Sequence, residues 1–301
     1  MTLSYRNAVA VAETVFYSPA FLIAGLLMFR HGWRRSAGWL FVAIFTLMRL
    51  IGASMQLATI HDPSNVSLYV GTVILDGIGL SPLLLSSLGL LSRALYSINK
   101  TKPTKLHLAA VHLIEILTIV ALILSIVGAT SVPSSSFLSR TQQTNTEMTV
   151  GIALFLAAFG LLCLLVLSTW PSMRHIEKGE KRLLFAVTLS LPFILVRLIY
   201  SSFSILGENP DFSRTTGSTT IFLCMTLLME ACVVVIYEGT GLTLQRLSSD
   251  ELSQIYASRQ GPRRDDAQEN GLGGKLARIG QKTLIGRLVM AISGKSSQSR
   301  Y

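Results

Sequence analysis

Seven apolar stretches, at roughly 8–29, 38–60, 68–92, 108–130, 149–170, 183–206 and 221–244, decide what this chain can fold into. A bilayer core ~30 Å thick needs about 20 residues of helix to cross it, and each stretch supplies them. Backbone N–H and C=O groups in hydrocarbon find no water, so a spanning segment must satisfy them internally, as a helix does. The chain is 50% hydrophobic and only 14% charged, where a soluble domain carries about 25% charged residues. The sequence therefore predicts an all-α, polytopic bundle of seven transmembrane helices over residues 1–244. The first stretch is too long for a cleaved leader, carries Glu13 and lacks a small-x-small cleavage site. It is read as a retained span.

The net charge of +10 looks like a nucleic-acid signature until it is mapped onto the loops. One set of loops holds Arg30, Arg34, Arg35, then Arg93, Lys100, Lys102, Lys105, then Arg174, Lys178, Lys181, Arg182, and finally ten basic residues past the last span. The alternate set holds Arg6, Arg140 and Arg214. Cytoplasmic loops collect Lys and Arg, so this asymmetry puts the N-terminus outside and the C-terminus in the cytoplasm. The basic balance reads as topology, with no nucleic-acid partner. Cys163, Cys224 and Cys232 all lie in spans and leave the outer loops without a disulfide pair.

Residues 245–301 form a polar, basic cytoplasmic tail, partly disordered, with a flexible linker over 261–274. Within it, KLARIGQKTLIGRLVMAIS (275–293) mixes four basic residues with an apolar arc. That pattern fits an amphipathic helix on the anionic lipids of the inner leaflet.

Inside this apolar frame two arginines stand in nearly the same words: MRLIGASMQL (48–57) and VRLIYSSFSI (196–205). Arg49 lies in span two and Arg197 in span six. An acid follows each on the next span, Asp76 and Glu230. Spans one to three and five to seven run in the same senses, with span four as the inverter. That is the 3+1+3 arrangement of parallel transporter repeats. At 1.5 Å per residue Arg49 is about 16 Å from either end of its span. An unpaired charge at such depth costs at least ~3 kcal/mol, so Arg49 is paired with Asp76 and Arg197 with Glu230.

The acids outnumber the arginines. Glu13, Asp76, Glu115 and Glu230 stand against two guanidinium groups, which leaves carboxyls able to bind a proton or an amphiphilic cation. Glu13 has no arginine at its own depth and no counterpart in span five, which marks it for gating or proton coupling. A substrate- and proton-binding site is therefore expected from Glu13, Arg49, Asp76, Arg197, Tyr200 and Glu230, lining one polar cavity that opens outward. His112 and Glu115, three apart on span four, form a secondary candidate on one helix face. Pro19, Pro82 and Pro192 should kink spans one, three and six or free carbonyls there. Gly71, Gly77, Gly79 and Gly89 give span three a small face for packing. Glu238-Gly239-Thr240-Gly241 lacks the strand context and Lys of a phosphate loop. No metal cluster, nucleophile elbow or cofactor motif is found.

RLIYSS, together with YRNAVAVAETVFYSPAFLIAGLLMFRHGWRR near the N-terminus, resembles a family of filamentous-fungal seven-span membrane proteins known as a domain of unknown function. The likeness covers approximately residues 3–244. It implies an integral membrane protein and carries no activity with it. More distantly, the R-x-I-Y of span six looks like that of the fungal lipid-translocating exporters. Their further basic residue and acid after the Tyr are replaced here by Ser201, Ser202, Phe203 and Ser204. The sequence expectation is a small transporter or translocator of an amphiphilic or lipid-like molecule, proton-linked through the surplus acids. A heptahelical receptor-like sensor is the second reading, and an intramembrane enzyme of the fungal terpene-cyclase type the third. The receptor marks Asp-Arg-Tyr after span three and Asn-Pro-x-x-Tyr in span seven are missing.

Overall fold

The computed structural model describes residues 4–31, 37–62, 65–101, 105–131, 145–171, 178–207, 210–212 and 217–244. Every regular element among them is helical. We number them α1 (Tyr5–His31), α2 (Ala37–Ala58), α3 (Val66–Ile78), α4 (Leu80–Thr101), α5 (Lys105–Thr130), α6 (Thr146–Thr169), α7 (Lys178–Leu206) and α8 (Thr219–Thr243), with a 3-10 turn at Pro210–Phe212. Seven helical segments are long and apolar enough to cross a membrane, α3 and α4 together forming the third. The chain is a multi-pass membrane protein, as its pattern predicts. The helices belong to a compact unit spanning Met1–Arg246. The tail, with its amphipathic segment 275–293, lies outside the described residues.

Packing follows chain order. α1 runs along α2, α2 along α3 and α4, α5 along α6, and α7 along α8, which closes on α1, while α4 is pressed centrally against α7. The ends are tied at both faces. At one face Gln56 Nε2 at the end of α2 donates to Asn7 Oδ1 at the start of α1, at 3.1 Å. At the other, Arg30 donates to the Leu242 carbonyl at 3.2 Å and His31 meets that of Gly241 at 3.3 Å. We call these the N-terminal and C-terminal faces. Large apolar side chains such as Leu22, Phe29, Leu164, Leu167, Phe185 and Val235 stand on the outside, as a lipid solvent requires. The core is apolar along α4 and α7, with Leu84, Leu91, Leu184, Val187 and Leu198 fully buried.

The prolines act differently from one another. Pro19 and Pro192 sit within unbroken helices. Beside Pro19, Ser18 Oγ donates to the Thr14 carbonyl at 2.6 Å, a side-chain bond of the kind that keeps a proline-containing span satisfied. The third span is interrupted instead: α3 ends at Ile78, Gly79 forms a turn, and α4 starts at Leu80, two residues before Pro82. A proline has no N–H and its ring clashes with the carbonyl four residues back, which is that of Ile78. The break therefore falls where the chemistry puts it. Of the glycines expected on a small face, Gly71 packs on Met55 and Gly79 on Phe45. The tightest approach at the C-terminal face lies elsewhere, where Gly241 leaves room for Trp39 and Leu27.

Candidate functional site

Five helices bring ionisable side chains to one place, eight to eleven residues in from the N-terminal face. Glu13 comes from α1, Arg49 from α2, Asp76 from α3, Arg197 from α7 and Glu230 from α8. Arg49 Nη1 donates to Asp76 Oδ1 at 2.7 Å and lies 3.5 Å from Glu13 Oε1, while its Nη2 faces Glu230 Oε2. Arg197 Nε donates to Glu230 Oε1 at 2.6 Å, Nη1 to Ser201 Oγ at 2.5 Å, and Nη2 to the backbone carbonyl of Asp76 at 2.6 Å. Glu230 thus receives both arginines, one on each oxygen. The two expected pairs are present, and they are joined into one network.

One expectation needs correction. Glu13 is not without an arginine at its depth: α1 and α2 pack along their length, and this brings Glu13 to Arg49. The depth count missed this because it took the spans as 8–29 and 38–60, whereas α1 starts at Tyr5 and α2 ends at Ala58, which puts Glu13 and Arg49 at nearly the same depth. Tyr200 joins as expected, its ring 5.9 Å from the Arg197 guanidinium carbon. His112 and Glu115 do not. They lie on α5, which contributes nothing to the network, with His112 exposed and Glu115 half-buried.

Local sequence explains how each group is held. Ser201 is one turn beyond Arg197, so a single helix face carries the guanidinium and its acceptor. The break before Pro82 opens the ladder beside Asp76, and the Asp76 carbonyl turns to Arg197. In α8 a π-helical turn over Leu223–Leu227 precedes Glu230. Such turns insert one extra residue and recur at functional sites. Phe45, one turn before Arg49, places its ring 5.9 Å from that guanidinium. Both arginines are therefore backed by an aromatic face as well as by carboxylates.

Burial divides the network in two. Arg197, Glu230 and Arg49 have side-chain exposures of 1%, 0% and 3%, whereas Glu13 and Asp76 retain 12% and 14%. The base holds both guanidiniums; the accessible edge is carboxylate. Sequence reasoning missed Tyr17, one turn beyond Glu13 on the same face of α1. It is 1% exposed, stands within electrostatic reach of Glu230, Arg49, Glu13 and Arg197, and its hydroxyl has no hydrogen-bond partner among the described residues. Its spacing from Glu13 was the available signal.

A second polar layer lies two turns nearer the C-terminal face. The Tyr237 hydroxyl is 2.6 Å from Ser87 Oγ and 2.6 Å from Ser190 Oγ, tying α8 to α4 and α7. A phenol has one hydrogen, so it donates to one serine and accepts from the other. Ser190 and Arg197 are seven residues apart, as are Glu230 and Tyr237, which stacks the two layers on common helix faces. Between them the side chains of Leu84, Ile194, Leu198 and Val233 are fully buried and apolar.

The family model DUF7702, a domain of unknown function, matches residues 3–247. No curated protein and no solved structure matches the chain.

Proposed function

The chain therefore belongs to the DUF7702 family, and we propose that this member translocates a small amphiphilic or lipid-like molecule across its membrane, linked to protons through its surplus acids. The observation that carries the reading is the convergence of five ionisable groups, three of them buried, from helices in both halves of the chain, on one place within the membrane domain. Intramembrane charges are retained where they meet a substrate or an ion, and transporter sites form where two halves meet near mid-depth. Buried ion pairs add little stability over apolar packing of the same volume. A network of three acids and two arginines is therefore better explained by use than by folding. The apolar layer of Leu84, Ile194, Leu198 and Val233 below it, closed by the hydroxyls of Tyr237, Ser87 and Ser190, serves as the barrier on the C-terminal side. The distribution of Lys and Arg orients the N-terminal face outward and the C-terminal face to the cytoplasm. The distant likeness to lipid-translocating exporters agrees with the substrate class.

One observation favours the receptor-like reading: Tyr237 links α4, α7 and α8 away from the charged network, where ligand binding at the network can tighten or release it. A flux assay separates the two. Full-length protein in phosphatidylcholine vesicles should speed the transbilayer movement of NBD-phosphatidylcholine or of rhodamine 6G above protein-free vesicles, with a response to an imposed pH gradient. Arg49→Leu combined with Asp76→Asn, which keeps the charge balance, should abolish the acceleration. If neither probe moves faster with wild-type protein, with or without the gradient, translocation is wrong. In a cysteine-free background, cysteines at Ser64 and Ser213 should react with an impermeant thiol reagent on sealed cells while those at Ser36 and Ser248 stay silent. The reverse pattern overturns the orientation.

A further inference from the structure

The charge of the ligand can be read from which groups in the network are already committed. Arg197 directs Nε, Nη1 and Nη2 to three different acceptors, all within 2.6 Å. Arg49 directs Nη1 to Asp76 and Glu13 and Nη2 to Glu230. Both guanidiniums are already engaged by the acids. An anionic headgroup would have to displace a carboxylate to reach either one. The accessible edge offers only Glu13 and Asp76. Three carboxyl groups against two guanidiniums also leave one carboxyl without a cation of its own.

Glu13 is the least committed member. Its contact with Arg49 is 3.5 Å, long for a charge-assisted bond. One turn along α1 the Tyr17 hydroxyl is buried, without a hydrogen-bond partner among the described residues, and within electrostatic reach of the same charges. A buried hydroxyl without a partner costs free energy unless something else satisfies it. Aromatic rings wall Tyr17: Phe16 and Phe45 pack edge-on against it at 5.0 and 6.0 Å. A carboxylate, a phenol and aromatic walls are the groups that recognise an organic ammonium.

We propose that Glu13 and Tyr17 form the headgroup subsite for an amphiphile bearing one protonated amine, with Asp76 completing the acidic edge and Arg49 and Arg197 holding that edge in place. This rests on the translocator reading for its transport role, but the binding claim stands separately. The ammonium donates to the Glu13 carboxylate, while the Tyr17 hydroxyl turns an oxygen lone pair towards it. The apolar chain lies along the surrounding helix faces.

Full-length protein in zwitterionic detergent should be titrated calorimetrically with dodecylamine, lauric acid and dodecanol, each below its aggregation concentration, and with sodium chloride against choline chloride. Saturable binding is expected for dodecylamine alone. Glu13→Gln should weaken it at least tenfold and Tyr17→Phe several-fold. Glu115→Gln, the same change at an intramembrane acid outside the network, should leave it unchanged. Size-exclusion profiles and melting midpoints show which variants fold; if Glu13→Gln does not, Tyr17→Phe still decides. Laurate binding as tightly as dodecylamine, sodium displacing the amine as a site ligand, or equal affinities in Glu13→Gln and Glu115→Gln would each overturn the assignment. If dodecylamine binds but no probe crosses vesicles, the translocator reading fails and the subsite stands. If probes cross while the anion is preferred, the reverse holds.

Discussion

Arg49 and Arg197 occupy matched places in matched sequence, yet their surroundings differ in kind. Arg197 is held by one fully buried carboxylate, a serine and a backbone carbonyl, with Tyr200 against its plane. Arg49 is held by three carboxylates, two of them partly accessible. The residue three beyond each arginine explains part of this. In the second half it is Tyr200, which walls in the guanidinium. In the first it is Gly52, which has no side chain to wall the guanidinium in and lies against Leu75, the residue before Asp76. The asymmetry continues two turns on, where Ser190 on α7 reaches Tyr237 and the corresponding residue on α2 is the buried apolar Val42. A shared segment has been given two jobs: one arginine fixes the network, the other presents it.

The sharpest break of that comparison is Arg197→Leu. Glu230 and Ser201, which it leaves behind, are buried and have no water to turn to, so the penalty of a broken buried pair applies, ~3–5 kcal/mol. Expression or the detergent melting midpoint should fall steeply. Arg197→Lys should rescue little, because an ammonium cannot direct donors in the same planar fork. Adding Glu230→Gln should restore part of the loss.

Arg49→Leu should cost less, about 2 kcal/mol, between the values for exposed and buried pairs. The acids it strands, Glu13 and Asp76, retain access to water and can take up a proton from it. Adding Asp76→Asn should recover most of the loss in a melting experiment. If Arg49→Leu proves as damaging as Arg197→Leu, the division into a fixing and a presenting arginine is wrong.

The bundle was legible because the bilayer forces it: length and hydropathy alone specify seven helices. The site was legible in its charges, since an ionisable residue in an apolar run has few explanations. The two pairs were legible as well, but not their joining: Glu13 on Arg49, and Arg49 on Glu230, depend on where the helices end and on how they pack, which residue counts along a span do not show. The joining of both arginines at Glu230 also depends on the π-helical turn over Leu223–Leu227, for which the sequence carries no plain mark. Ser201 was legible in retrospect, one turn from Arg197. Ser201→Ala should cost about 1.5 kcal/mol, the worth of a hydrogen bond to a charged group. A loss confined to the melting midpoint, with dodecylamine affinity kept, is what a fixing role predicts. A change in affinity with stability intact would move Arg197 to the presenting side.

The smallest effect is the most discriminating for the repeat itself. Aligning Arg49 with Arg197 aligns Ser54 with Ser202, and leaves Ser201 opposite Ala53. Ser54 Oγ donates to the Leu50 carbonyl at 2.7 Å, and Ser202 Oγ to the Leu198 carbonyl at 2.9 Å. Both are bonds back along their own helix, four residues away, and neither touches the network. Such bonds satisfy a hydroxyl in an apolar span without adding much to the helix. Alanine at either position removes donor and need together, so each change should stay within about 0.5 kcal/mol. Dodecylamine affinity should not move. The serine that sequence comparison picks out is then silent in both halves, while its unmatched neighbour Ser201 carries the contact. Equal silence at Ser54 and Ser202 supports a common ancestor segment whose site was rebuilt afterwards on one side. If Ser202→Ala weakens the protein as Ser201→Ala does and Ser54→Ala does not, the two segments share words without sharing structure. The likeness of the halves would then reduce to the placement of two arginines and the acids opposite them.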